Sequence, residues 1–237
     1  VFALRPLRRT WARLWSLSAR NLKSEDFFSA LRFQHPESGE WSHAAASPLE
    51  EAEKAFVLPA AEVLPCPHSV LEVGFGRGLN SAVALRHIHQ SPGQPPCSFG
   101  GIEPFPENLL PWPALSAEWA EYFPWWGELD APWSSGIHHG AISVAPLLAH
   151  CPQVSGGWDW IFVDLFSPKA HPQDWEDSWA SVLGEFASPQ AVLTTYCCAR
   201  SVRESLKSAG WRVEILRSKG YRDTLRAQRC AKSPVSA

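Results

Sequence analysis

Ser69-Val70-Leu71-Glu72-Val73-Gly74-Phe75-Gly76-Arg77-Gly78-Leu79-Asn80 is the stretch whose reading decides the fold. An apolar run ends in an acid, and a glycine-rich turn leads on into a helix. Glycines at such a turn allow positive φ and let the backbone approach a ligand where a Cβ would collide. The helix start beyond it offers free N–H groups to a polar ligand. Glycine recurs at every second position, as Gly74, Gly76 and Gly78. The dinucleotide fingerprint G-x-G-x-x-G would need a glycine at position 79, where the chain has Leu79.

Working outward, strand-like and helix-like segments alternate from residue 69, which predicts an α/β fold with a mostly parallel sheet. Strands are expected at 70–73, 98–103, 135–139, 158–164, 191–196, 211–216 and 224–227, the last two as an antiparallel hairpin. Helices are expected at 80–89, 106–110, 114–122, 145–150, 175–186 and 201–209, with a tryptophan-rich loop at 124–133. Gly210 stops the last helix. Upstream, Pro48 suits a first helical position, and Glu50, Glu51 and Glu53 suit a first turn, so 48–58 reads as helical. The organisation expected is a basic extension at 1–24, a small N-terminal module at 25–60 and the main domain at 61–237.

Length and composition fit one decorated domain. The chain has 237 residues, 45 % hydrophobic and 19 % charged, as a soluble globular protein does. No apolar run approaches the roughly 18 residues of a membrane helix. Its six cysteines (Cys66, Cys97, Cys151, Cys197, Cys198 and Cys230) form no C-x-x-C pair and no zinc spacing. They read as free thiols of a reducing cytoplasm, and no metal is expected. The sequence contains no Met, so a trimmed start or a valine initiation codon is expected. The net charge of −3 is unevenly spread: +6 over 1–24, −16 over 25–198 and +7 over 199–237. An acidic body with basic ends suits a polyanion-binding enzyme, because phosphate contacts need clustered Lys and Arg. Solvated helix faces would have the same composition. The Arg-rich, acid-poor 1–24 has some likeness to a transit peptide but lacks a secretory apolar core. It reads as an upstream extension or a short surface helix.

In an open α/β sheet, ligands sit at the carboxyl ends of the strands. Three acids close predicted strands there: Glu72, Glu103 and Asp164. A carboxylate in the place of Glu103 can accept two hydrogen bonds from a ribose diol. After Asp164 comes Leu165-Phe166-Ser167-Pro168-Lys169-Ala170-His171-Pro172-Gln173-Asp174-Trp175. Prolines pre-order this loop, and its aromatics either stack on a base or pack into the core.

The turn E-x-G-x-G-x-G resembles that of class I S-adenosylmethionine-dependent methyltransferases, in which it faces the amino-acid end of the cofactor. The loop makes the likeness specific. Asp164, Phe166, Ser167, Pro168, Pro172 and Trp175 are similar to the D-x-F-[AS]-P-x-x-x-P-x-x-W signature of MnmC-type methyltransferases. Glu72 to Asn80 resembles that family's E-x-G-F-G-x-G-L-N turn. Upstream, 38–43 and Leu49-Glu50-Glu51-Ala52 resemble the segment before the domain, and 201–211 its V-R-x-x-L-x-x-A-G-F helix and turn.

The resemblance implies a Rossmann-like class I methyltransferase that completes the 5-methylaminomethyl group of the tRNA wobble uridine. S-adenosyl-L-methionine would be held by Glu51, Glu72, Gly74, Phe75, Gly76, Gly78, Asn80 and Glu103. Asp164 would act on the amine. Phe166, Pro168 and Trp175 would meet the base, and Arg203 and Lys207 the tRNA. A stand-alone form without a fused oxidase domain is implied, which leaves room for a separate oxidase partner; no membrane or metal partner is expected. The sequence departs from the family at two points. Gly140-Ala141 stand where the family has a Gly-Asp pair reading adenine, and 219–223 are looser than its basic ending. An aminopropyltransferase, a small-molecule methyltransferase and a non-catalytic RNA-binding relative are the competing readings.

Overall fold

The computed structural model describes residues 34, 38–42, 48–76, 78–91, 97–103, 137–139, 151, 153–176, 178–218 and 222–229. Strand β1, Ser69–Val73, is buried along its whole length, as a central parallel strand covered on both faces must be. Around it stand β2 (Ser98–Glu103), β3 (Ile137–His139), β4 (Trp158–Val163), β5 (Ala187–Thr195), β6 (Trp211–Leu216) and β7 (Thr224–Arg229). Their order is β3-β2-β1-β4-β5-β7-β6. The first five are parallel, whereas β7 runs antiparallel to both β5 and β6. The expected C-terminal hairpin is therefore present, with β7 inserted between β5 and β6. The switch in strand order lies between β1 and β4, which opens the ligand crevice of such sheets at their carboxyl ends.

The strands' alternation divides the core into two layers. Leu71, Val73, Ile161, Val163 and Leu193 face helices α4 (Trp179–Phe186) and α5 (Arg200–Ser208) through Trp179, Leu183, Val202 and Leu206. Val70, Phe99, Trp160, Phe162 and Val192 face α3 (Leu79–His89) and an N-terminal helical segment. That segment runs as α1 (Pro48–Ala52), a π-helical turn (Glu53–Val57) and α2 (Leu58–Ala61). Its Ala52, Ala55, Phe56, Val57 and Ala60 share one core with α3 and the sheet. The boundary expected at 60/61 thus falls inside α2, and residues 48–60 pack as part of the main body.

The helix expected at 175–186 is broken. A 3₁₀ turn covers Pro172–Trp175, Glu176 is extended at φ −60° and ψ 155°, and α4 begins only at Trp179. Strand β5 starts four residues early, at Ala187, because Ala187 pairs with Trp158 across a register shift. The expected extension at 1–24, the helices at 106–110, 114–122 and 145–150, the tryptophan-rich loop and Gly140-Ala141 lie outside the described residues. Cys66, Cys97, Cys151, Cys197 and Cys198 are free thiols. Burial pushes Cys97 and Cys151 up to about 12.

Candidate active site

The carboxyl edge beside the β1/β4 switch gathers Glu72, Asn80 and Asp164. Glu72 is 1 % exposed. Its Oε2 accepts from the Ser81 N–H at 3.0 Å and the Ser81 hydroxyl at 2.5 Å. A carboxylate on a free N–H of the first turn of α3 answers both the unpaired donor and the helix dipole. Its Oε1 accepts from Asn80 Nδ2 at 2.8 Å, and the same amide donates to Asp164 Oδ2 at 2.7 Å. Asn80 therefore bridges two acids that are 92 residues apart in the chain. Burial pushes Glu72 up to about 8, and the charge of Asp164 adds to this against the hydrogen bonds from Ser81 and Asn80.

Both amide protons of Asn80 are turned to carboxylates, which leaves its Oδ1 as the remaining acceptor. That buried oxygen accepts no hydrogen bond from the described residues. An unpaired buried acceptor beside two acids is a place for a cationic donor such as an ammonium group.

The glycine turn is fastened to β2. The N–H groups of Gly74 and Phe75 donate to Ile102 O at 2.8 and 3.0 Å. Gly76 N–H donates to Glu103 Oε2 at 2.5 Å, so the second strand-end acid holds the turn. Gly74 has φ 83°, and a Cβ there would stand 2.4 Å from the Asp164 carbonyl oxygen. Phe75 is buried, with its ring against Gly78 on one side and Gly101 on the other; a Cβ on either would come within 2.7 Å of it. It packs the turn. Glu51 is buried in α1, which packs on α3.

The loop after Asp164 is fastened at each of its first three residues. Tyr196 Oη donates to Leu165 O at 2.6 Å, and Trp175 Nε1 donates to Phe166 O at 2.7 Å. Glu40 Oε2 accepts from Ser167 N–H at 3.1 Å and Ser167 Oγ at 2.9 Å. Trp175 is 8 % exposed and meets Trp179 edge-on with centroids 5.1 Å apart. It braces the loop from the core side. Phe166 is also 8 % exposed, and Pro168 is half-buried. Farther along, His171 Nδ1 lies 2.8 Å from Asp174 Oδ2, a buried pair inside the loop. Burial pushes the Asp174 carboxyl up, and His171 opposes it.

Tyr196, absent from the expected site, follows β5 directly at this edge. Burial first, then the charges of Asp164 and Glu40, hold its hydroxyl well above the usual tyrosine range. The Arg222 guanidinium lies over its ring, 5.4 Å from the centroid. Tyr196 closes the strand expected at 191–196, but the rule that picked Glu72, Glu103 and Asp164 considered acids and passed over it. Arg203 and Lys207 stand one turn apart on α5; Arg203 is half-buried, and Lys207 Nζ pairs with Glu204 at 3.1 Å.

Comparison with known proteins bears on the family and the fold. Residues 139–229 match the family model for S-adenosyl-L-methionine-dependent methyltransferases. The tRNA 5-methylaminomethyl-2-thiouridine biosynthesis bifunctional protein MnmC of Methylibium petroleiphilum is 30 % identical over 207 residues. Its counterpart in Ectopseudomonas mendocina is 27 % identical over 205 residues. Each match covers 78 % of this chain and 31 % of the relative, so the chain spans about a third of the length of these curated proteins. Among solved structures, it is similar to MNMC2 from Aquifex aeolicus, with TM-score 0.66 and 21 % identity over 97 % of this chain and 85 % of that one. It is also similar to a spermidine synthase in complex with the transition-state analogue AdoDATO, with TM-score 0.55 and 13 % identity over 85 % and 70 % of the two chains. At those identities the structural likeness is one of fold.

The residues present fit S-adenosyl-L-methionine. Its ammonium and sulfonium are cationic, and the crevice offers Glu72, Asp164 and the unpaired Asn80 Oδ1. The family match, the relatives and the sheet order together place the chain among the S-adenosyl-L-methionine-dependent methyltransferases, as a methyltransferase domain of the MnmC type.

Proposed function

We propose that this chain methylates the primary amine of a 5-aminomethyl group on the wobble uridine of tRNA. The observation that carries the reading is the Asn80 bridge, which sets Asp164 beside the glycine turn at the mouth of the crevice. When bound there, S-adenosyl-L-methionine supplies an activated methyl carbon, so the protein's work is mostly alignment. Asn80 Oδ1 and the turn at Gly74–Gly78 hold the cofactor's amino-acid end, and Glu103 the ribose side. Asp164 holds the substrate amine by hydrogen bonding and takes up the proton that the nitrogen must lose as it gains the methyl group. Phe166 and Pro168, on the loop that Trp175 braces, border the place of an extruded base. The relatives' printed name, with its tRNA 5-methylaminomethyl-2-thiouridine product, supports this substrate. We place the reaction in the cytoplasm: no described helix is long and apolar enough to cross a membrane, and the described thiols are free.

Nucleoside analysis of tRNA incubated with the protein and labelled cofactor tests this reading. Label in 5-methylaminomethyl-type uridine is expected; label carried only by a polyamine or another small amine overturns it. Asp164→Asn keeps an acceptor for Asn80 and removes the charge. Turnover falls by roughly 10²–10⁴, cofactor affinity changes little, and raising the pH partly restores the rate because more of the amine is neutral. Normal turnover of the variant at neutral pH makes Asp164 structural.

A further inference from the structure

We infer that Glu40 is a positioning residue of this site: by holding Ser167 it sets where Asp164 and Phe166 stand relative to the substrate. The inference rests on the proposed reading for its substrate and on the geometry for the rest. Leu165, Phe166 and Ser167 are gripped in succession by Tyr196, Trp175 and Glu40. Of these three, Glu40 alone is charged, and it alone comes from the segment before α1. It lies 127 residues from Ser167 in the chain.

Glu40 arrives already shaped. Gly39 turns the chain at φ 71°, Gln34 Nε2 donates to Gly39 O at 2.7 Å, and Gln34 bridges to Trp41 in antiparallel fashion. From Ser167 the grip passes on. Its hydroxyl proton goes to Glu40, so the oxygen is free to accept from Ala170 N–H at 3.3 Å. Its carbonyl accepts from the N–H groups of Ala170 and His171, each at 2.9 Å. One carboxylate thus fixes both a hydroxyl direction and the turn that follows it. Glu40 stands near enough to this edge that, after burial, its charge and that of Asp164 hold the Tyr196 hydroxyl up. Charge-assisted bonds of this kind are about twice as strong as neutral ones, and losing such a pair lets a surface loop open locally.

The test uses the full chain as wild type, Glu40→Ala, Glu40→Gln, Ser167→Ala and the Glu40→Ala/Ser167→Ala double variant. Hydrogen exchange is followed in the peptide covering 165–171, with α3 as reference. Glu40→Ala speeds exchange in the loop about tenfold, as expected for a missing charge-assisted bond, and leaves α3 unchanged. Glu40→Gln, which keeps an acceptor oxygen, restores most of the protection. In methyl transfer, Glu40→Ala raises the KM for tRNA and lowers kcat/KM about tenfold, while titration with S-adenosyl-L-methionine gives wild-type affinity. The double variant is impaired by less than the sum of the two single variants, because both remove the hydroxyl–carboxylate bond, while Ser167→Ala also removes the longer acceptor for Ala170 N–H. Loop exchange unchanged in Glu40→Ala overturns the inference. So does a fast-exchanging Glu40→Ala with wild-type kcat/KM, or a Glu40→Gln as impaired as Glu40→Ala. A wild-type protein that methylates no tRNA overturns the proposed substrate instead; the exchange arm still decides whether Glu40 sets the loop.

Discussion

Gly74 shows how one residue joins the glycine turn to the backbone of the strand-end acid Asp164. Its φ of 83° is strained for any L side chain, and a Cβ would press on the Asp164 carbonyl at 2.4 Å. Gly210 makes the contrast, with φ 81° and nothing within 4 Å of its Cβ position. Gly210→Ala should cost about 1 kcal/mol, the left-handed conformation alone. Gly74→Ala should cost roughly 2–5 kcal/mol, since overpacking adds to that strain. Urea unfolding of the two variants measures the difference; equal midpoints would mean that the Asp164 backbone yields freely. Glu72 provides a second test at this scale. Its carboxyl is raised from 4.5 to about 8 by burial, so the folded protein binds more protons than the unfolded chain between those values. Its contribution to stability is then fully present near pH 4.5 and falls as pH rises toward 8, by about 1.4 kcal/mol per unit at most. Denaturation midpoints across that range should decline with pH, and Glu72→Gln should flatten the decline. A wild-type profile rising from pH 5 to 8 with the same shape in the variant would place the titration elsewhere.

The helices and strands differ in how openly their sequences announced them. Strand β4 was legible because its buried residues, Trp158–Val163, are apolar except for Asp159, and α5 because apolar Val202 and Leu206 recur on one face. The position of β7 between β5 and β6 was not, since no local pattern specifies which strand a hairpin edge will pair with. Glu72 and Asp164 stood out as strand-end acids, but the Asn80 amide joining them depends on how two distant segments meet. Phe75 and Trp175 could be read either as ligand contacts or as packing until their neighbours were known. The π turn at Glu53–Val57 was equally hidden, because residue types do not distinguish it from the α-helix on either side. Its Phe56 carbonyl accepts from the buried Thr194 Oγ1 at 3.2 Å, which ties the N-terminal helical segment to β5. Thr194→Val keeps the shape and removes that donor. A loss of about 1–3 kcal/mol follows for a buried carbonyl left unpaired, read from the unfolding midpoint. An unchanged midpoint would show that the π turn satisfies its own carbonyls.

Across the whole molecule the charges separate by task. The middle of the chain, net −16, contains the acids of the crevice, which suit a cationic cofactor and a substrate amine. The C-terminal block, net +7, is in part structural. Arg226 is 11 % exposed and binds Glu62, Glu214 and the Pro59 carbonyl, fastening β7 to α2 and β6. Arg229 lies over the Trp211 ring, and Arg217 pairs with Asp223. Helix α5 differs, because Arg203 and Lys207 stand one turn apart on it with only the exposed Glu204 pairing Lys207. Exposed pairs of that kind contribute little and yield readily to a phosphate. Reversing Arg203 and Lys207 to Glu should therefore weaken tRNA binding and make its logarithmic salt dependence shallower by about one for each phosphate no longer neutralised. Affinity for S-adenosyl-L-methionine should hold, since the glycine turn and the Glu72–Asn80–Asp164 bridge are built from other residues. Arg226→Glu should do the opposite, lowering the unfolding midpoint while the folded fraction keeps its salt slope. Titrations of tRNA at several salt concentrations separate the two outcomes. A slope unchanged by reversal on α5 would make that helix a solvated face and put the tRNA on another surface.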